Sequence, residues 1–164
     1  MASFDEWRER SRRPPDLLAA QMVDEQLRSR GIADGRILAA MSRVPRHRFV
    51  PTLALGDAYR DAAHPIPEGQ TISQPFIVAR MTELLDVRPG ARVLEIGTGS
   101  GYHTAILLEL GARVTSVERL PGLAERARAV LRELEPDADV VVHVGDGSLG
   151  RRAGAPHDRL LVAA

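Results

Sequence analysis

Arg92-Val93-Leu94-Glu95-Ile96-Gly97-Thr98-Gly99-Ser100-Gly101-Tyr102 is a short apolar run that ends in three glycines at alternate positions. Five residues rich in β-branched and aliphatic side chains read as a strand over 92–96, and glycines allow the backbone to turn tightly where that strand ends. A helix over about 102–110 follows. Further along, the apolar runs Arg113–Val117, Val140–Val144 and Arg159–Val162 repeat the strand signature. A second helix over 121–135 fits between them, with Leu123, Ala127, Val130, Leu131 and Leu134 on one face. Strands alternating with helices predict an α/β fold built on a mostly parallel sheet.

Upstream of Arg92 the punctuation is helical. Residues 1–15 are charged, close on Pro14-Pro15 and read as a flexible tail. Asp16 is placed to cap a helix running to Arg30, with Leu18, Met22, Val23 and Leu27 at helical spacing and Gly31 as its stop. A shorter helix spans about Asp34 to Arg43, ending before Val44-Pro45. Residues 45–70 read as loops. Ser73 is placed to cap a further helix carrying Ile77, Met81, Leu84 and Leu85 and ending at Pro89-Gly90. The division is a tail over 1–15, a helical and loop segment over 16–72, and an α/β domain over 73–164. At 164 residues the chain is sized for one such domain.

Absent residue types exclude several chemistries. The sequence has no Cys, no Lys and no Asn, and all 22 basic residues are Arg. Disulfide frameworks, thiolate zinc sites and cysteine nucleophiles are ruled out, as are phosphate-loop and Schiff-base lysines. The 22 Asp and Glu balance the arginines, so nothing points to a nucleic acid or membrane-surface binder. No apolar run approaches a bilayer span and no signal peptide is visible, which leads to a cytoplasmic expectation. The five histidines have no ligand spacing, so no metal site is expected.

The glycine loop follows a strand and opens a helix, and Glu118 ends the next strand about 20 residues on, placed to accept from ribose hydroxyls. That context fits an adenosine-type ligand over Gly97, Thr98, Gly99 and Gly101, the alternative being a tight turn in an unliganded domain. Dinucleotide sites favour G-x-G-x-x-G, whereas here the spacing is G-x-G-x-G with Glu95 two residues ahead. A carboxylate beside a pyrophosphate is repelled, so Glu95 suits a cationic ligand such as S-adenosylmethionine, or else only braces the loop. Asp146 and Gly147 close the third strand, where the carboxylate can accept from an adenine amino group or simply form a turn. Gly69-Gln70-Thr71-Ile72-Ser73-Gln74-Pro75 brings two hydroxyls to a helix start, fitting an anion site or simple capping by Ser73.

GQTISQPFIVARMTELL (69–85), VLEIGTGSGYHTAILLELGARVTSVER (93–119) and VVHVGDGSLG (141–150) resemble protein-L-isoaspartate O-methyltransferases, and the likeness extends from about Met22 to the last residue. The resemblance implies a Rossmann-like class I methyltransferase sheet, S-adenosyl-L-methionine as methyl donor, and L-isoaspartyl residues of damaged proteins as acceptors. By position it makes Ser73 the active-site serine and assigns Thr71 and Ile72 to the cofactor and substrate loop. Glu118 becomes the ribose acid, with Asp146 and Gly147 at adenine. Three places depart from the family's pattern. Ala63-His64-Pro65-Ile66-Pro67-Glu68-Gly69 stands where P-L-P-I-G-x-G is usual, Ser148 where an aromatic is common, and His157 where the family has Phe.

The resemblance further implies strands beyond Arg159–Val162, so the α/β domain is expected to be incomplete at its C-terminus. Leu160, Leu161 and Val162 would then occupy an open edge, with self-association or a missing segment as the consequence. An isoaspartyl carboxylate is ionised at neutral pH, so the expected mechanism needs no general base and rests on positioning by Thr71, Ser73 and the helix start. Two alternatives remain at this stage: methylation of a dedicated peptide partner, and an inactive nucleoside-binding fragment.

Overall fold

Four strands form the central sheet of the computed structural model, which describes residues 13–163. They are β3 (Arg92–Ile96), β4 (Arg113–Glu118), β5 (Val140–Val144) and β6 (Arg159–Val162), all parallel, in the order β5-β4-β3-β6. Val93 lies opposite both Val114 and Arg159, and Ile96 opposite both Val117 and Val162. The chain leaves β3 toward β4 and β5 on one side and returns to β6 on the other. That reversal opens a crevice beyond the carboxyl ends of β3 and its neighbours.

Helices α5 (Tyr102–Glu109) and α6 (Pro121–Leu134) make the crossovers that parallel pairing requires. Leu123, Ala127 and Leu131 of α6 are buried, as the apolar stripe predicts. Gly101 sits at the junction with φ 88°, and a Cβ there would stand 3.2 Å from that of Ala127. The glycine therefore serves both the left-handed turn and the close approach of the two helices.

The N-terminal segment follows the expected order with several corrections. One helical run extends from Pro15 to Arg30: α1 (Pro15–Met22), a wider π turn over Val23–Leu27 and a 3-10 turn over Arg28–Arg30. Gly31 ends it at φ 92°. Asp16 does not cap this helix; Pro14 holds the cap position and Asp16 lies in the first turn, because Pro15 sets the helical φ one residue earlier. Asp34 does cap α2 (Gly35–Arg43), accepting from the Arg36 amide at 2.8 Å. Residues 45–70 are not all loop: they hold a 3-10 turn over Arg46–Phe49, a one-turn α3 (Leu55–Ala58) and the first strand of a hairpin. That hairpin pairs β1 (His64–Pro65) with β2 (Thr71–Ile72).

Helix α4 (Pro75–Leu85) stops at Asp86 in a left-handed conformation, four residues short of Pro89-Gly90. Its buried face is Pro75, Val78, Ala79 and Thr82, while Ile77 and Leu84 are exposed. Thr82 is hidden because its hydroxyl lies 2.9 Å from Nε2 of the buried His103 on α5. Beside α4, β6 buries Leu161 and leaves Leu160 and Val162 exposed, its outer edge unpaired among the described residues. No described helix is long and apolar enough to cross a membrane. The tail expected over 1–15 falls outside the described residues as far as residue 12.

The substitution Gly101→Ala forces a Cβ into a left-handed turn and against Ala127. It is expected to destabilise the chain by about 2 kcal/mol, read as a lowered urea midpoint at unchanged slope.

Candidate functional site

The glycine loop turns because Gly97, Gly99 and Gly101 take φ values of 92°, 54° and 88°. Its amides are then spoken for in sequence. Gly97 N–H donates to the Val117 carbonyl at 2.9 Å, Gly99 N–H to Glu118 Oε2 at 2.8 Å, and Gly101 N–H to the Thr98 carbonyl at 2.9 Å. Glu118 accepts a second time, through Oε1, from the Leu120 amide at 3.0 Å. The carboxylate is 6% exposed and fixed by two backbone donors. An ionised carboxylate has about four acceptor positions, so two remain for hydroxyls of a ligand.

A cavity of about 570 Å3 opens over this loop. Thr71, Ser73, Gly97, Gly99, Glu118, Asp146 and Gly147 all line it, so residues drawn from three separate stretches of sequence meet there. Asp146 forms a turn by accepting from the Ser148 amide at 2.8 Å, a bond that holds its carboxyl below the usual range. A Cβ on Gly147 would stand 2.6 Å from Ile96 Cγ2, so only glycine lets this turn close against the end of β3. Across the cavity stand Thr71 of the hairpin and Ser73 directly after it. The hairpin's Ile66 amide donates to the Gln70 carbonyl at 2.8 Å, and its tip residue Glu68, at φ 62°, reaches the first turns of α6 with Arg126 Nη1 at 3.8 Å.

Ser73 does not cap α4. Gln74 occupies that position without a side-chain bond, and the Phe76 amide donates at 3.3 Å to Asp61 Oδ1 from a distant loop. The Thr71 and Ser73 hydroxyls are engaged by no other described residue.

Four residues expected in the site do not line this cavity. Ile72 is 3% exposed and belongs to the hydrophobic core. Thr98 is buried with its hydroxyl 2.6 Å from that of Ser116. Gly101 packs α5 on α6. Glu95 has no exposed surface: its Oε2 accepts from Thr104 at 2.6 Å and Ser116 at 2.7 Å, while Oε1 has no partner. It stands beneath the glycine loop as a brace and does not face the cavity. Burial pushes its carboxyl up to about 7, the two hydroxyl donors opposing the rise. The cavity also takes Gln70 and Arg119, which the sequence reading passed over. Arg119 is adjacent to Glu118, and that adjacency to the strand-end acid was the available signal. No cluster able to hold a metal ion occurs among the described residues.

The model of the family described as protein-L-isoaspartate(D-aspartate) O-methyltransferase matches residues 19–164. The chain belongs to this family. A protein-L-isoaspartate O-methyltransferase from Methanoculleus marisnigri is 56% identical over 144 residues, which are 88% of this chain and 65% of the relative. One from Gloeobacter violaceus is 54% identical over 143 residues, covering 87% of this chain and 69% of the relative. The chain thus spans about two thirds of the length of these relatives. A solved protein-L-isoaspartate O-methyltransferase superposes with a TM-score of 0.78 at 29% identity, covering 88% of this chain and 48% of the other. A Plasmodium falciparum structure titled as a protein of the same kind shares the fold, with a TM-score of 0.75 at 22% identity over 89% of this chain and 73% of the other.

The brace under the family's glycine loop gives a pH dependence. Glu95 titrates near 7 in the folded chain against 4.5 unfolded, so the native state holds more protons between those values and stability falls as pH rises through them. Buried His103, lowered to about 4 from 6.5 by desolvation, acts oppositely, its contribution being lost as pH falls through that window. Glu95→Gln should therefore gain on the unsubstituted chain by about 3 kcal/mol between pH 4.5 and 8, measured by urea unfolding.

Proposed function

We propose that the chain is an S-adenosyl-L-methionine-dependent carboxyl O-methyltransferase that acts on L-isoaspartyl residues of damaged proteins. The observation that carries this reading is the meeting of two unengaged hydroxyls, Thr71 and Ser73, with the Glu118 and Asp146 carboxylates around one cavity. The donor set suits an adenosine ligand: Glu118 keeps acceptor positions for ribose hydroxyls, Asp146 offers an acceptor for an exocyclic amine, and side-chain-free Gly97 and Gly99 let a ligand approach the backbone. The family's printed name supplies the acceptor class.

When bound, S-adenosylmethionine supplies a methyl group on a cationic sulfur. The rest falls to this chain. An isoaspartyl carboxylate is already ionised, so no residue has to remove a proton. Thr71 and Ser73 donate hydrogen bonds that orient one carboxylate oxygen, which forms the new O–CH3 bond as the S–CH3 bond breaks, leaving a methyl ester and a neutral thioether. With the Phe76 amide bonded to Asp61, orientation rests on the hydroxyls more than on the start of α4. Holding the two partners in line is the main source of rate.

Incubation with methyl-labelled donor and matched peptides tests the activity: label should enter the isoaspartyl peptide and not its aspartyl counterpart. Glu118→Ala should weaken S-adenosylhomocysteine binding by ~10- to 150-fold, the range for bonds to a charged group, in calorimetry where NAD gives no signal. Ser73→Ala should lower turnover of the isoaspartyl peptide roughly tenfold with donor affinity nearly unchanged, and an equal loss of both would remove Ser73 from the acceptor side.

A further inference from the structure

Arg46 is a buried cation with no ion pair to a carboxylate among the described residues. It opens the 3-10 turn over Arg46–Phe49 and has no exposed surface. Its Nε donates to the Ala58 carbonyl and its Nη2 to the Ser73 carbonyl, each at 2.8 Å. The guanidinium carbon lies 4.8 Å from the centre of the Tyr102 ring, and Nη1 has no hydrogen-bond partner among the described residues. Desolvation draws the group below its usual value, yet an arginine keeps its proton, so the chain carries an interior charge that ordinary packing would avoid.

Of the groups it touches, Ser73 lines the cavity and Tyr102 directly follows the glycine loop. Ser73 is the hydroxyl-bearing residue in the two-residue link between β2 and α4, and nothing else described engages its side chain. Tyr102 is the first residue of α5, directly after the glycine loop, and is itself fully buried with Phe49 edge-on at 5.5 Å. One planar fork from a third segment thus reaches the acceptor loop through a backbone carbonyl and rests on the helix that carries the glycine loop. A guanidinium can hold two carbonyls at fixed angles, which a single ammonium nitrogen on a flexible stem cannot.

We propose that Arg46 is a positioning residue for the acceptor: by gripping the Ser73 carbonyl while seated on Tyr102, it fixes where the Ser73 hydroxyl stands relative to the glycine loop. This rests on the function proposed above and assigns to it a residue outside the cavity wall.

The test is steady-state kinetics with an isoaspartyl peptide, alongside calorimetry with S-adenosylhomocysteine, on the unsubstituted chain, Arg46→Met and Arg46→Lys. Both are done at a temperature where circular dichroism finds each protein folded. Arg46→Met should raise the peptide KM or lower kcat/KM by about tenfold or more, with S-adenosylhomocysteine affinity within about twofold. Arg46→Lys, which fills the same space and keeps the charge, is the variant to rely on if the Met variant does not fold. It should recover only part of that loss. A structural role alone would lower the melting temperature and reduce peptide turnover and ligand binding in the same proportion, which overturns the inference. So does an Arg46→Lys enzyme with unchanged peptide kinetics, and in that case the proposed function stands. An unsubstituted chain that binds S-adenosylhomocysteine but methylates no isoaspartyl peptide removes the proposed function and this inference with it.

Discussion

The bond from the Gly99 amide to the Glu118 carboxylate, at 2.8 Å, joins the turn after β3 to the end of β4, and the cavity is assembled around it. Parallel register brings the two ends level: Ile96 stands opposite Val117, so the next amide, Gly97, reaches the Val117 carbonyl and the following turn falls beside Glu118. A loop with three residues at positive φ has few ways to satisfy its own N–H groups. Removing the acceptor would leave the Gly99 amide unpaired at a cost of about 1–3 kcal/mol, enough to let the loop depart from this shape. The same carboxylate therefore shapes the loop and remains available to a ligand.

Beneath the loop lies a second layer of polar control. Thr104 of α5 and Ser116 of β4 both donate to Glu95, and Ser116 is also within hydrogen-bonding distance of Thr98 in the loop. The network runs from the crossover helix through two strands to the Thr98 hydroxyl of the loop. Such a cluster is costly to bury unless its members are paired, and one oxygen of Glu95 is not. Its raised titration point is the expression of that cost.

The sheet was legible in the sequence nearly residue for residue, because parallel strands covered by helices read as apolar runs bounded by turn residues. Continuous apolarity also hides information. Without alternation there is no face to assign, so Glu95 was placed by its distance from the glycines when its side chain in fact points among Thr104 and Ser116. Helix α4 failed in a related way. Ile77, Met81, Leu84 and Leu85 fit a helical stripe, but the helix packs against α2, β6 and the π turn, and Thr82 is drawn inside by His103. A hydrogen bond between residues 21 positions apart leaves no trace in hydrophobic period. Ser73 and its neighbours satisfied every local rule for a cap, and Asp61 took one of those amides from outside the window.

The two halves of the cavity thus differ in how they are encoded. The side built on the glycine loop is local: strand, glycines, strand-end acid and the Asp146 turn follow one another within βαβ units, and their spacing alone brings them together. The side that carries Thr71 and Ser73 is not. Thr71 reaches the cavity on a hairpin, and Ser73 directly after it; the hairpin's tip rests on α6 through Glu68, and its Ile66 Cδ1 lies 3.9 Å from where a Cβ of residue 99 would stand. Gly99 is constrained by its left-handed backbone, and the hairpin lies over it at ordinary contact distance. A side chain at that position would strain the turn over which the cavity opens, where the hairpin packs on it at contact distance. The placement of Thr71 and Ser73 relative to Glu118 is therefore set where the hairpin meets the glycine loop and α6, and not within either motif alone.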